Sequence, residues 1–122
     1  MSLPSFTRSV CGRYGARHRV ISTTLREVLH EVYFECPEDD EHGDAWITLV
    51  FGEHGPIHIL TSTIDGTLRY EHFADVEGED VVEEYRWDGV PFDDALNMWT
   101  LLSRGDVARV RAFMRLSGVP VE

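Results

Sequence analysis

The sequence predicts a single α+β domain: an N-terminal helix, a four-stranded antiparallel meander and a C-terminal helical hairpin. Three observations predict it. Apolar residues recur at helical spacing over 25–32 and again over 92–114. Between these stretches lie four short runs rich in β-branched and aromatic residues, punctuated by glycine, proline and aspartate. The length of 122 residues is that of one domain, and residues 1–122 carry no internal repeat and no linker.

Residues 1–21 read as a basic extended arm or short strand, because Gly12 and Gly15 break any regular element, and 22–118 read as the globular body. A helix starts at Thr24, where Thr24-Leu25-Arg26-Glu27 fits a capping box whose two side chains satisfy each other's free backbone N–H groups. Leu25, Val28, Leu29 and Val32 then fall on one helical face, and the helix gives way to extended chain before Pro37. Six of the ten residues 35–44 are acidic, which makes a solvated loop.

The strands follow as Ala45–Phe51, Ile57–Thr63, Thr67–Ala74 and Val81–Trp87. Asp65-Gly66 is the strongest hairpin signal, since a tight primed turn needs positive φ. As a two-residue turn it sets Ile59 opposite His72 and Phe73 opposite His58, so the two histidines point to opposite faces. Phe92, Ala95, Leu96, Trp99 and Leu102 share a helical face, with Pro91 ahead of it and Asp93 and Asp94 at its positive end. Gly105 suits a left-handed C-cap, and Asp106 caps a second helix that turns Val107, Val110, Phe113 and Met114 inward. The expected core is Leu25, Val28, Leu29, Ile47, Leu49, Ile59, Leu68, Leu96, Trp99, Leu102, Val110 and Phe113.

Charge narrows the function. The 22 acids outweigh 11 bases, and every one of those bases is arginine. A Walker-type phosphate loop, a Schiff-base lysine and a lysine general base are therefore excluded. Residues 1–26 hold five arginines and no acid, while 27–122 hold six arginines and 22 acids, so +5 is joined to −16. The arm has the composition of an organellar transit peptide, set against the plainer reading of an arm lying along an acidic body, its own or a neighbour's. An acidic body repels phosphate, which disfavours nucleic acid. No apolar run is long enough to span a bilayer and no apolar segment opens the chain, so the expectation is a cytoplasmic protein with no membrane.

Six histidines invite a metal reading, but Gly55-Pro56 separates His54 from His58, and His58 and His72 are read on opposite faces, so no metal and no cofactor is expected. Cys11 and Cys36 lack zinc-site spacing and read as ordinary thiols. Glu83 and Glu84 alternate across a strand and cannot act as a carboxylate pair. No nucleophile elbow, dinucleotide fingerprint or zinc-protease motif occurs.

The order of a short helix, a meander with an Asp-Gly hairpin, then Tyr85…Asp88-Gly89-Val90-Pro91…Asp94-Ala95-Leu96…Gly105 resembles small bacterial immunity proteins that neutralise polymorphic toxins. The resemblance spans roughly residues 45–110 and implies a non-enzymatic inhibitor that presents acidic loops to a basic site. Two functional readings follow. The first is an acidic protein-binding module for a basic protein partner, acting through Glu38, Asp39, Asp40 and Glu41 and through Asp75, Glu77, Glu79 and Asp80. The alternative is a small-molecule-binding protein or enzyme with a pocket between sheet and helices built on Tyr70, His72 and Tyr85. In Ala45–Phe51, Trp46 and Val50 point one way and Ile47 and Leu49 the other, so both faces of the sheet are apolar. Antiparallel sheets usually leave one face polar, so this pattern predicts a homodimer.

Overall fold

The structure, a computed structural model, describes residues 6–12, 17, 18, 20–35, 44–75, 77 and 80–121. These residues fold as α+β, with an antiparallel sheet and three helices among them. The sheet is larger than the sequence predicts. Among the described residues seven strands run in the order β2-β1-β3-β4-β5-β6-β7, where β1 is Phe6–Cys11, β2 Arg17–His18, β3 Ala45–Phe51, β4 Ile57–Ser62, β5 Leu68–Phe73, β6 Val81–Trp87 and β7 Val119–Pro120. The four-stranded meander is thus corrected to β3–β6 extended at both edges. Helix α1, Ser22–Phe34, separates the first two strands from β3 along the chain.

The extra strands have simple causes. Phe6–Cys11 lies antiparallel to β3 across its whole length, from Phe6 opposite Phe51 to Cys11 opposite Trp46. It does so because β3 would otherwise expose a full row of unpaired backbone groups. Val10 enters the core and Arg8 Nη1 donates to the carbonyl of Ser103 at 2.5 Å. This part of the basic arm is therefore built into the body. At the far edge Val119 and Pro120 pair with Arg86 and Tyr85, and Val121 N donates to Glu84 O.

Helix α1 begins earlier than the capping box predicts. Leu25 N donates to Ile21 O, no side chain caps the start, and the Thr24 hydroxyl is buried without a partner. What fixes the helix is its apolar face, for Leu25, Val28, Leu29 and Val32 are all buried. Helices α2, Phe92–Ser103, and α3, Val107–Ser117, form the hairpin. Gly105 sits at φ +80°, as a left-handed cap requires, and the Asp106 carboxylate accepts from Arg109 N at 3.3 Å.

All three helices pack on one face of the sheet, where Val10, Ala45, Ile47, Leu49, Leu60, Leu68 and Tyr70 join the core. Three members of the expected core are corrected. Ile59 is half-buried on the opposite face, Leu96 is half-buried, and Phe113 is 40% exposed. Val110 and Met114 hold the seam of α3, and Phe113 lies about 100° round the helix from Met114.

The β4–β5 connection decides the chemistry of the sheet. Ser62 pairs with Leu68, so five residues form the loop instead of the two-residue turn expected. Asp65 explains the difference. Its carboxylate accepts from the Thr63 hydroxyl and from Thr67 N at 3.1 Å, and Thr63 N donates to Thr67 O. Aspartate and glycine thus close a wider loop from inside, with Gly66 at φ +83° and its carbonyl accepting from Val90 N. The register moves by one residue. Such a move exchanges the faces of every side chain on one strand relative to the other.

Candidate functional site

With that register His58 stands directly opposite His72, and His72 opposite Glu83. The reading that put the two histidines on opposite faces is corrected. Both lie on the helix-covered face, with ring centroids 4.3 Å apart and planes 26° from parallel. One row further in, Leu60, Tyr70 and Tyr85 are neighbours. Tyr70, His72 and Tyr85, singled out from the sequence, are therefore brought together on the covered face.

Helix α3 completes the cluster. Arg111 Nη2 donates to Glu83 Oε2 at 2.5 Å and Arg111 Nε to Oε1 at 3.3 Å, a two-pronged contact. Arg115 adds a bond to the same carboxylate at 3.1 Å and also bonds Tyr85. Arg111 and Arg115 meet one carboxylate because they are four apart on a helix running over β6. Burial pushes the Glu83 carboxyl up, but the arginine bonds pull it further, so it stays below the usual carboxylate range. His58 is 3% exposed, and its Nδ1 is 2.8 Å from the Tyr70 hydroxyl. Burial, with His72 and Arg111 nearby, pulls the His58 imidazole down to about 4. Burial and Arg111 also lower His72, whose Nδ1 is enclosed without a partner. Burial raises the Tyr70 hydroxyl.

The cluster is therefore a neutral imidazole pair beside a saturated carboxylate. Glu83 is committed to two arginines, and among the described residues no group of three or more His, Cys, Asp and Glu side chains is arranged to hold a metal ion. A concavity of about 440 Å³ opens beside the cluster, on the outer edge of β6, lined by Val81, Val82, Glu83, Glu84, Tyr85, Pro120 and Val121. It is open to solvent. His58, Glu83, Arg111 and Arg115 are site residues that the sequence reading missed, since their association depends on a register and a helix phase that local patterns leave open.

The acidic residues sort differently. Glu38, Asp39, Asp40, Glu41 and Glu79 lie outside the described residues. Asp44 adjoins the start of β3 and faces a second concavity of about 390 Å³ with Asp65, Arg69 and Arg86. Asp75, Glu77 and Asp80 are at the opposite end of the sheet, where β5 passes to β6. Seven-residue β3 puts roughly 20 Å between the two ends. At the second end two turns touch, because a Cβ on Gly55 would stand 3.0 Å from Asp75 Cα. Glu77 N donates to Asp75 Oδ1 and Ala74 N to Asp80 O, which closes the loop. Glu53, Asp75, Glu77 and Asp80 thus share one rim, and residues 52–56, 74, 75, 77 and 80 include no arginine.

This rim borders the sheet face that, among the described residues, no helix covers. Three rows cross that face. Trp46, Thr61, Arg69 and Arg86 form the first, Thr48, Ile59, Glu71 and Glu84 the second, and Val50, Ile57, Phe73 and Val81 the third, next to the acidic rim. Val81 and its neighbour Val82 are 53% and 56% exposed. Among the described residues no helix is long and apolar enough to cross a membrane. Against this geometry, no family model, no curated protein and no solved structure matches the chain.

Proposed function

We propose that this chain is a cytoplasmic protein-binding module of immunity or adaptor type, acting without catalysis and receiving a basic partner at the β3–β4 and β5–β6 end of its sheet. One observation carries the reading. Four carboxylates with no arginine among the described residues of their loops stand beside a row of part-exposed apolar residues, Val50, Ile57, Phe73, Val81 and Val82. Apolar contacts supply affinity at such a surface while exposed rim charges steer an oppositely charged partner to it. The overall charge of −11 acts in the same direction at longer range. The resemblance to small immunity proteins points to the same class of activity.

The polar cluster fits this reading better than the alternative of a small-molecule pocket. Its strongest groups are engaged with each other, Tyr70 with His58 and Glu83 with Arg111 and Arg115, so few remain to recognise a ligand. The test is capture from lysate of the source cells by wild type and by the Asp75→Asn/Glu77→Gln/Asp80→Asn variant. We expect wild type to retain a stoichiometric basic polypeptide, and expect both raised salt and the triple substitution to release it. Equal capture by the two chains at every salt concentration sinks the proposal. Phe73→Asp should also abolish capture, at unchanged salt, because it places a charge in the apolar row.

A further inference from the structure

The other two rows of the face away from the described helices carry a different pattern. Arg69 lies directly opposite Arg86, and in the next row Glu71 lies directly opposite Glu84. Like charges facing each other across an antiparallel pair are destabilising, and exchanging one arginine with one glutamate would have made two ion pairs. Both pairs are on the face away from the helices, since their strand neighbours Leu68, Tyr70 and Tyr85 pack on the helix side. Burial and the Glu84 charge raise the Glu71 carboxyl, a local sign of that crowding. Asp88 takes the Nε of Arg86 from one side, and Arg69 is exposed.

A row of two positive charges beside a row of two negative charges is complementary to an inverted copy of itself. Place a two-fold axis across the strands, between the rows, and lay a second sheet face down on the first. Arg69 and Arg86 of each chain then meet Glu71 and Glu84 of the other, and Trp46, Thr48, Ile59 and Thr61 become covered. We infer that this chain forms a two-fold dimer by packing the sheet faces away from the helices against each other, with the Arg69/Arg86 row of one copy on the Glu71/Glu84 row of its partner. A uniformly basic partner does not fit these rows, because it would meet Arg69 and Arg86 with repulsion. The acidic rim is free of that conflict. The axis lies toward the Asp65 end, so the rim of each copy projects beyond the overlap and both surfaces can be used together.

Sedimentation of four chains tests this. Wild type at tens of micromolar should have twice the 14.0 kDa chain mass. Arg69→Glu/Arg86→Glu and Glu71→Arg/Glu84→Arg should each sediment as the single chain, and an equimolar mixture of the two should recover the doubled mass. The chain with all four substitutions should self-associate again, since the two rows have merely changed places. A wild type that stays at the single-chain mass overturns the inference, whatever the variants do. So does a mixture that fails to pair when both variants keep the circular dichroism of wild type. The Asp75→Asn/Glu77→Gln/Asp80→Asn variant should keep the dimer mass, which separates this result from the fate of the partner-binding proposal.

Discussion

Trp99→Ala should destabilise the fold by about 3–5 kcal/mol in urea or thermal unfolding, the largest effect expected of any single core substitution here. Trp99 is wholly buried on α2, at the junction of helices and sheet. Truncation removes a large apolar surface and leaves a space in the buried core that its neighbours cannot close without moving. It also strands a polar group, because Trp99 Nε1 donates to Ser62 Oγ at 3.1 Å and Ser62 is itself 1% exposed. Trp99→Phe separates the two losses. The ring refills much of the volume and the unpaired Ser62 hydroxyl remains, so about 1–3 kcal/mol of the cost should persist. Adding Ser62→Ala to Trp99→Phe should return part of that. A Trp99→Phe variant as stable as wild type would show that the bond to Ser62 contributes nothing.

Trp99 is also where the sequence was most legible. Its helix announces itself by Pro91, by Asp93 and Asp94, and by an apolar face whose phase is fixed over three turns. Gly105 and Asp106 mark the joint with α3 because each is suited to one backbone role, a left-handed residue and a cap. Elsewhere local signals ran out in identifiable ways. Thr24 and Glu27 match a capping box, but the buried face of α1 extends the helix back to Ser22, and packing outweighs a cap worth about 1 kcal/mol. Phe6–Cys11 carries no strong alternation, and its strand exists because the edge of β3 needs a partner. Phe113 and Met114 are adjacent apolar residues on a short helix, and only the position of α3 over β6 decides which one turns inward.

The site was half legible for a related reason. Asp65-Gly66 correctly signals a hairpin, and it does not state the loop length. A two-residue turn and a five-residue loop differ by one position of register, and that position decides whether His58 and His72 share a face. The three residues Tyr70, His72 and Tyr85 survive the change because β5 and β6 keep their faces relative to each other. His58 joins them only in the observed register, and Arg111 and Arg115 only through α3. The acidic residues illustrate the opposite limit. Runs of carboxylates are easily seen in a sequence, yet Asp44 and Asp75 prove to sit at opposite ends of the sheet, a separation that no composition reveals.

Lowering the pH from 7.5 to 4.5 should weaken the fold by about 2–3 kcal/mol through His58 alone, and the sign follows from where its proton goes. The unfolded histidine titrates near its ordinary value of about 6.5, while burial beside His72 and Arg111 holds the folded one down to about 4. Between those values the unfolded chain binds a proton that the folded chain refuses. Stability is therefore complete above pH 6.5 and declines as the pH falls, by at most about 1.4 kcal/mol per unit, until the folded imidazole titrates as well. His72 is shifted in the same direction and steepens the decline. Glu83 does not confuse the window, because its carboxyl lies below the usual range and its contribution is lost only at lower pH. Glu71 opposes the trend, since its raised carboxyl favours the folded state on acidification. The comparison of variants isolates the histidines. His58→Gln keeps a polar partner for Tyr70 and cannot titrate, so its unfolding free energy between pH 7.5 and 4.5 should fall much less than that of wild type, and His58→Gln/His72→Gln should fall least. Wild type and His58→Gln curves that run parallel across this range would mean that the stacked pair accepts protons in the folded chain as readily as in the unfolded one.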